Sequence, residues 1–304
     1  MSAKRFFVKE GRLRPTWRAL VYVVSVFVGS LVIQIPIGIL LGVAMVVGYI
    51  DESSVMQLES SVPLLILGSI SSLIVVLGLT YLFRRFLDGK DLPSLGLHRT
   101  RGWIRETVIG LLLGTILIGL VFFIEWAVGF LTVDGFSWEV QSPLRALLYL
   151  AAYLFIFVAV AFYEELSYRG YVLQNLNLDW AIPVGLVVSS ILFGLFHGLN
   201  PNVTWLALLN ISLAGVLMGV GYLVTRQLWL PMGLHFSWNF VQGAILSYPV
   251  SGLASTGLLV TTVTGDPLLT GGVFGPEGGL LGTAVNCLGL VVLLIWWWLR
   301  RRAV

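Results

Sequence analysis

Stretches of 20 and more residues without a single charged side chain recur along this chain, and they limit what it can fold into more than any other feature. A helix needs about 20 apolar residues to cross the hydrocarbon core of a bilayer. In lipid every backbone N–H and C=O must find a partner within the protein, which leaves helices as the spanning element for such runs. Apolar runs centre on residues 19–49, 62–83, 106–131, 144–163, 182–197, 203–224, 228–248 and 279–299. The expectation is an all-α, polytopic membrane helix bundle of about eight transmembrane helices.

Composition and charge placement support the bilayer as solvent. With 58% apolar and 11% charged residues the chain has too little polar surface to clothe a water-soluble globule. Its net charge of +3 does not describe a nucleic-acid binder, because the cations flank apolar runs instead of gathering on one face. Lys4, Arg5, Lys9, Arg12, Arg14 and Arg18 precede the first run, and Arg300, Arg301 and Arg302 close the last. Arg85, Lys90, Arg99 and Arg101 fall in the connection 84–105, Arg169 follows the fourth run and Arg226 the sixth, whereas 50–61, 132–142, 198–202 and 249–278 carry no Lys or Arg. The positive-inside rule then puts both termini in the cytoplasm. The first run reads as a retained anchor rather than a removed leader. A multi-pass protein of a bacterial plasma membrane fits these features.

The chain divides into a basic N-terminus (1–18), N-terminal spans (19–131), a polar-containing core (143–248), a Gly/Thr-rich outer connection (249–278) and a last span with a basic end (279–304). The outer connection is too long for a simple turn and is either partly structured or functional. The single cysteine, Cys287, excludes an intrachain disulfide and reads as a small buried residue. Glu125 reads as an acid at the outer interface, and the run Trp296–Trp298 as an aromatic belt.

Ionisable groups within apolar helices are costly enough to mark function by default. Here they are Glu164, Glu165 and Arg169 in AFYEELSYRGY, His197 in FGLFHGLN, and His235, with Asn239, in LPMGLHFSWNF. Glu165 and Arg169 share a helix face at a spacing of four, which predicts an ion pair. Glu164 points about 100° away and is the carboxylate left for chemistry. His235 and Asn239 stack at the same spacing, as do Phe193 and His197. If the chain turns near Asp179–Pro183, Glu164 and His197 each lie roughly 24 Å from the hairpin tip. They are level with His235, in a water-accessible layer below the cytoplasmic face, if the tip extends about 10 Å beyond that face. That placement sets the turn after His197 within the membrane thickness, where protein or a wet cavity must surround it. One acid, two imidazoles and an amide suit activation of water against an amide carbonyl, with oxyanion donors beside it. The alternative is a zinc held by Glu164, His197 and His235, although the HExxH helix that would mark such a site is missing from the sequence.

At these residues the sequence resembles the CPBP family of intramembrane endopeptidases, which includes the type 2 CAAX prenyl proteases and the Abi proteins linked to bacteriocin processing and self-immunity. The family pattern EExxxR, FxxxH, HxxxN appears in order as Glu164, Glu165 and Arg169; Phe193 and His197; His235 and Asn239, and the resemblance covers about 143–245. It implies cleavage of a membrane-associated peptide or protein near the cytoplasmic side. Glu164 would activate water, His197 would assist, and His235 with Asn239 would form the oxyanion site. Glu165, Arg169 and Phe193 would support them. No cofactor is favoured, with zinc the possible exception. Two other classes fit the same residues: a catalytically silent scaffold or immunity protein of this fold, and a proton-coupled transporter using the acid and histidines as a relay.

Overall fold

The computed structural model describes residues 6–49, 61–99 and 101–302. Lys4, Arg5 and nearly all of the connection 50–61 lie outside the described residues. A two-stranded ribbon, β1 (Val8–Lys9) with β2 (Arg12–Leu13), leads into α1 (Pro15–Val46), whose proline at the first turn needs no amide hydrogen-bond partner. Then follow α2 (Val62–Leu82), α3 (Trp103–Ala127) and the strand β3 (Leu131–Phe136). The helix α4 (Pro143–Glu165) runs through a wide π-type stretch, Leu166–Val172, into α5 (Leu173–Asp179). After the hairpin come α6 (Ile182–Phe196), α7 (Trp205–Thr225) and α8 (Trp229–Asn239), the strand β4 (Leu259–Val263) and α9 (Leu280–Arg302).

Seven helices, not eight, are long and apolar enough to cross a membrane by length and composition among the described residues. The run expected at 228–248 is the exception: α8 with its continuation Phe240–Ile245 stops short of a full span, and the chain then turns into the outer connection. The fourth helix, by contrast, continues unbroken from Pro143 to Asp179. The hairpin turns where the spacing predicted, between Asp179 and Ile182.

The main core is built on α3, α7, α8 and α9, with Phe193 of α6. Gly110 and Gly114 of α3 face the backbone of α8 so closely that a Cβ at either position would collide with the Leu230 and Leu234 carbonyls. Small residues at a helix crossing let the two backbones pack where lipid offers no hydrophobic drive. On the basic face, Asp88 receives Arg18 and Arg84, each at 2.9 Å, and Asp179 accepts hydrogen bonds from the amide (3.2 Å) and hydroxyl (3.0 Å) of Thr16. These contacts hold α1 and α2 to the hairpin tip. Tyr22 of α1, hydrogen-bonded to Thr80 (2.7 Å) and Ser167 (3.1 Å), extends that attachment into the helix pair.

At the opposite face β3 and β4 form an antiparallel ribbon from Leu131↔Val263 to Phe136↔Leu259, with a bulge near Val133. Glu125 is no interface acid. It is fully buried and accepts a 2.6 Å hydrogen bond from Tyr248, tying α3 to the start of the outer connection. Cys287 is likewise exposed on α9 rather than buried. The closing arginines Arg300, Arg301 and Arg302 stack on Trp296, Trp297 and Trp298, with guanidinium carbons 4.6, 4.1 and 3.6 Å from the ring centres.

Candidate active site

The two neighbouring glutamates at the end of α4 are treated differently by their surroundings. Glu165 is completely buried, and its Oε1 accepts from Arg169 Nη1 at 2.8 Å and from His235 Nδ1 at 2.9 Å. Arg169 is itself buried, donates to the Gly215 carbonyl at 3.1 Å and lies 4.3 Å above the Phe193 ring. Glu165 is therefore more than half of an ion pair: it also fixes the orientation of His235. A carboxylate can only accept, so Nδ1 of His235 carries the proton in this bond and Nε2 is turned toward Glu164.

Glu164 has no such commitments. Its Oε2 is enclosed yet has no hydrogen-bond partner among the described residues, and it lies 3.7 Å from His235 Nε2, too far for a direct hydrogen bond. His197 opens a single 3₁₀ turn, His197–Leu199, at the end of α6. Its Nδ1 donates to the Phe193 carbonyl at 2.9 Å, which leaves the Nε2 lone pair free. The Phe193 ring is the common wall of the site: Arg169 covers one face, while His197 and His235 meet it edge-on at centroid distances of 4.9 and 6.1 Å.

Glu164, His197, His235 and Asn239 all line one cavity of about 460 Å³. Its far wall comes from α1 and α2, which add Ser30, Gln34 and Ser72. The polar lining can hold water beside the glutamate, while the apolar walls can take a side chain or a lipid-like segment. Among the described residues no three His, Cys, Asp or Glu side chains are grouped closely enough to hold a metal ion.

Residues 146–241, which contain every one of these motif side chains, match the family model described as type II CAAX prenyl endopeptidase Rce1-like. The match covers about a third of the chain, and over that segment the chain is similar to the CAAX-protease family. No curated protein and no solved structure matches it. The Rce1-like segment starts within α4 and ends just beyond α8, so α1, α2, the outer connection and α9 are elements outside the family match that nonetheless wall the cavity.

Beyond the CAAX-protease motif, the cavity holds polar groups that motif reading missed. The foremost is Glu277 from the outer connection, 8% exposed, with Ser251 beside it. Asn210 of α7 is another: buried, it donates to the carbonyls of Glu277 (2.9 Å) and Gly279 (2.8 Å). One sequence signal could have pointed to Glu277, since it and Asp266 are the two acids in a connection otherwise free of charge.

Proposed function

We propose that the protein is an intramembrane endopeptidase that hydrolyses a peptide bond of a membrane-associated protein or peptide with a glutamate-activated water. The observation that carries this reading is the contrast between the paired acids. Glu165 is held through Oε1 by Arg169 and His235 and does not line the cavity, whereas Glu164 makes no hydrogen bond among the described residues and faces a cavity shared with two imidazoles and an amide. An enclosed carboxylate oxygen without a hydrogen-bond donor, set beside a cavity, is costly, and the cost is justified where the group must take up a proton.

In the proposed reaction a water lies between Glu164 and His197 Nε2, both of which accept its hydrogens. Its oxygen attacks the scissile carbonyl carbon while one proton passes to Glu164. The carbonyl π pair moves onto oxygen, and the Asn239 amide, together with His235 when both its nitrogens carry protons, donates to the resulting oxyanion. Collapse re-forms the carbonyl, the C–N bond breaks and the leaving nitrogen gains a proton, giving a carboxylic acid and an amine. Glu165 and Arg169 keep the His235 ring in place throughout.

The test compares membrane peptides released by the wild-type protein and by Glu164→Gln, together with cleavage of a farnesylated CAAX reporter in proteoliposomes. Wild type should release a defined set of peptides that the variant, expressed and folded to the same level, does not. Equal peptide profiles would remove the hydrolase reading in favour of a silent scaffold. Metal analysis and chelation of the purified protein address the rival chemistry: one tightly held zinc required for turnover would overturn the metal-free scheme.

A further inference from the structure

The outer connection is not draped over the bundle; it folds inward and closes the cavity. Asn200, in the turn after His197, donates to the Ser251 carbonyl at 2.9 Å, and Gln242 donates to the Pro249 carbonyl at 2.7 Å. Gly252, with a φ of +86°, lies so near the Pro201 carbonyl that any side chain would collide with it. The turn expected to sit within the membrane thickness is thereby covered by protein. Asn210, pinned in turn by Thr283 at 2.7 Å, fixes the backbone at Glu277 and Gly279. The Glu277 side chain then enters the cavity that holds Glu164 and His197.

Within it, a single oxygen of Glu277, Oε2, accepts both the amide (2.6 Å) and the hydroxyl (3.0 Å) of Ser251. That pattern suits a protonated carboxyl, in which the carbonyl-like oxygen takes both donors and the other oxygen bears the proton. Burial raises the Glu277 carboxyl above its ordinary range, against the opposing effect of Ser251, the nearby His197 ring and the Gln242 amide. Of these neighbours His197 is the titratable one; Ser251, Gln242 and Asn210 are uncharged.

Resting on the hydrolase reading above, we propose that Glu277 is a second catalytic carboxyl and the proton donor to the leaving amine. Glu164 takes a proton from the attacking water; Glu277 gives one to the amide nitrogen as the C–N bond breaks. Peptide and water thus become acid and amine, with Glu164 protonated and Glu277 ionised. Proton return from Glu164 to Glu277, through the solvent of the cavity, restores both.

The experiment takes a peptide released by wild type but not by Glu164→Gln and synthesises it twice, once with the scissile amide and once with an ester at that bond. An alkoxide leaves with far less need of a proton than an amide nitrogen does. With full-length protein in proteoliposomes, Glu277→Gln should lower kcat on the amide by about 10²–10³-fold with KM little changed, and on the ester by less than about ten-fold. Glu277→Asp should recover part of the amide activity, and Glu164→Gln should lose both substrates. Amide turnover by Glu277→Gln at the wild-type rate would overturn the assignment, as would equal losses on amide and ester in a variant with wild-type thermal stability. If wild type releases no peptide that Glu164→Gln does not, the hydrolase reading falls and this inference falls with it.

Discussion

The helices α1 and α7 are both apolar enough to span a bilayer, yet the molecule uses them in opposite ways. In the most apolar window of α7, 56% of residues are buried inside the protein; in that of α1, none are. The inner helix carries Asn210 and Gly215, whose amide and carbonyl fix the backbone at Glu277 and the side chain of Arg169. The outer helix presents Val24, Ile35, Ile39 and Leu40 to lipid and contributes Ser30 and Gln34 to the cavity wall. Hydropathy alone therefore does not separate a core helix from a wall. The separation comes from where small and polar residues interrupt the apolar run.

That contrast can be broken or sharpened by substitution. The largest expected effect is at the centre: Glu164→Gln should reduce cleavage by about 10²–10⁴-fold with the folded state unchanged, read from turnover and thermal unfolding of the same preparation. Arg169→Met leaves Glu165 with His235 as its remaining partner in a fully buried setting. A loss of roughly 3–5 kcal/mol is expected, seen as a collapse of the melting temperature in detergent. Gly114→Leu forces the α3–α8 crossing apart and should cost about 1–3 kcal/mol or more; a normal melting temperature there would show that the seam is looser than described. Gly42→Ala on α1, where a Cβ meets nothing within 4 Å, should stay within about 0.5 kcal/mol of wild type by the same measurement. If Gly42→Ala and Gly114→Leu were equally harmful, the division between core and wall would not hold.

Much of the fold could be read from the chain because lipid leaves few choices for a long apolar run. The hairpin between Asp179 and Ile182 and the pairing of Glu165 with Arg169 follow directly from helical rise and a spacing of four. Other features depend on contacts between distant segments. Glu125 sits beside Trp126 at the end of an apolar run, and nothing local tells an interface acid from one capped by Tyr248, 123 positions away. The bond from His235 to Glu165 is another such feature, because no spacing rule links residues on two different helices. Glu277 is harder still, since a Gly-rich connection has no periodicity from which a direction can be read. The strand pair β3–β4 did leave a trace, in the β-branched residues of LTVDGF and LVTTV, but both segments adjoin apolar runs that dominate the pattern.

The wide stretch Leu166–Val172 follows immediately on the two acids. A π-type turn takes up one residue more than an α-turn, so the helix upstream and the helix downstream need not share a rotational phase. The azimuth of Glu164 and Glu165 is set by packing against α8, and that of Asp179 by docking to the first turn of α1, each without reference to the other. Deleting one residue beyond Arg169, so that the Glu165–Arg169 spacing is kept, is expected to return the stretch to ordinary α-helix with both ends seated. The segment thus behaves as an expansion joint: chain length there can change by one while the carboxylates stay where they are.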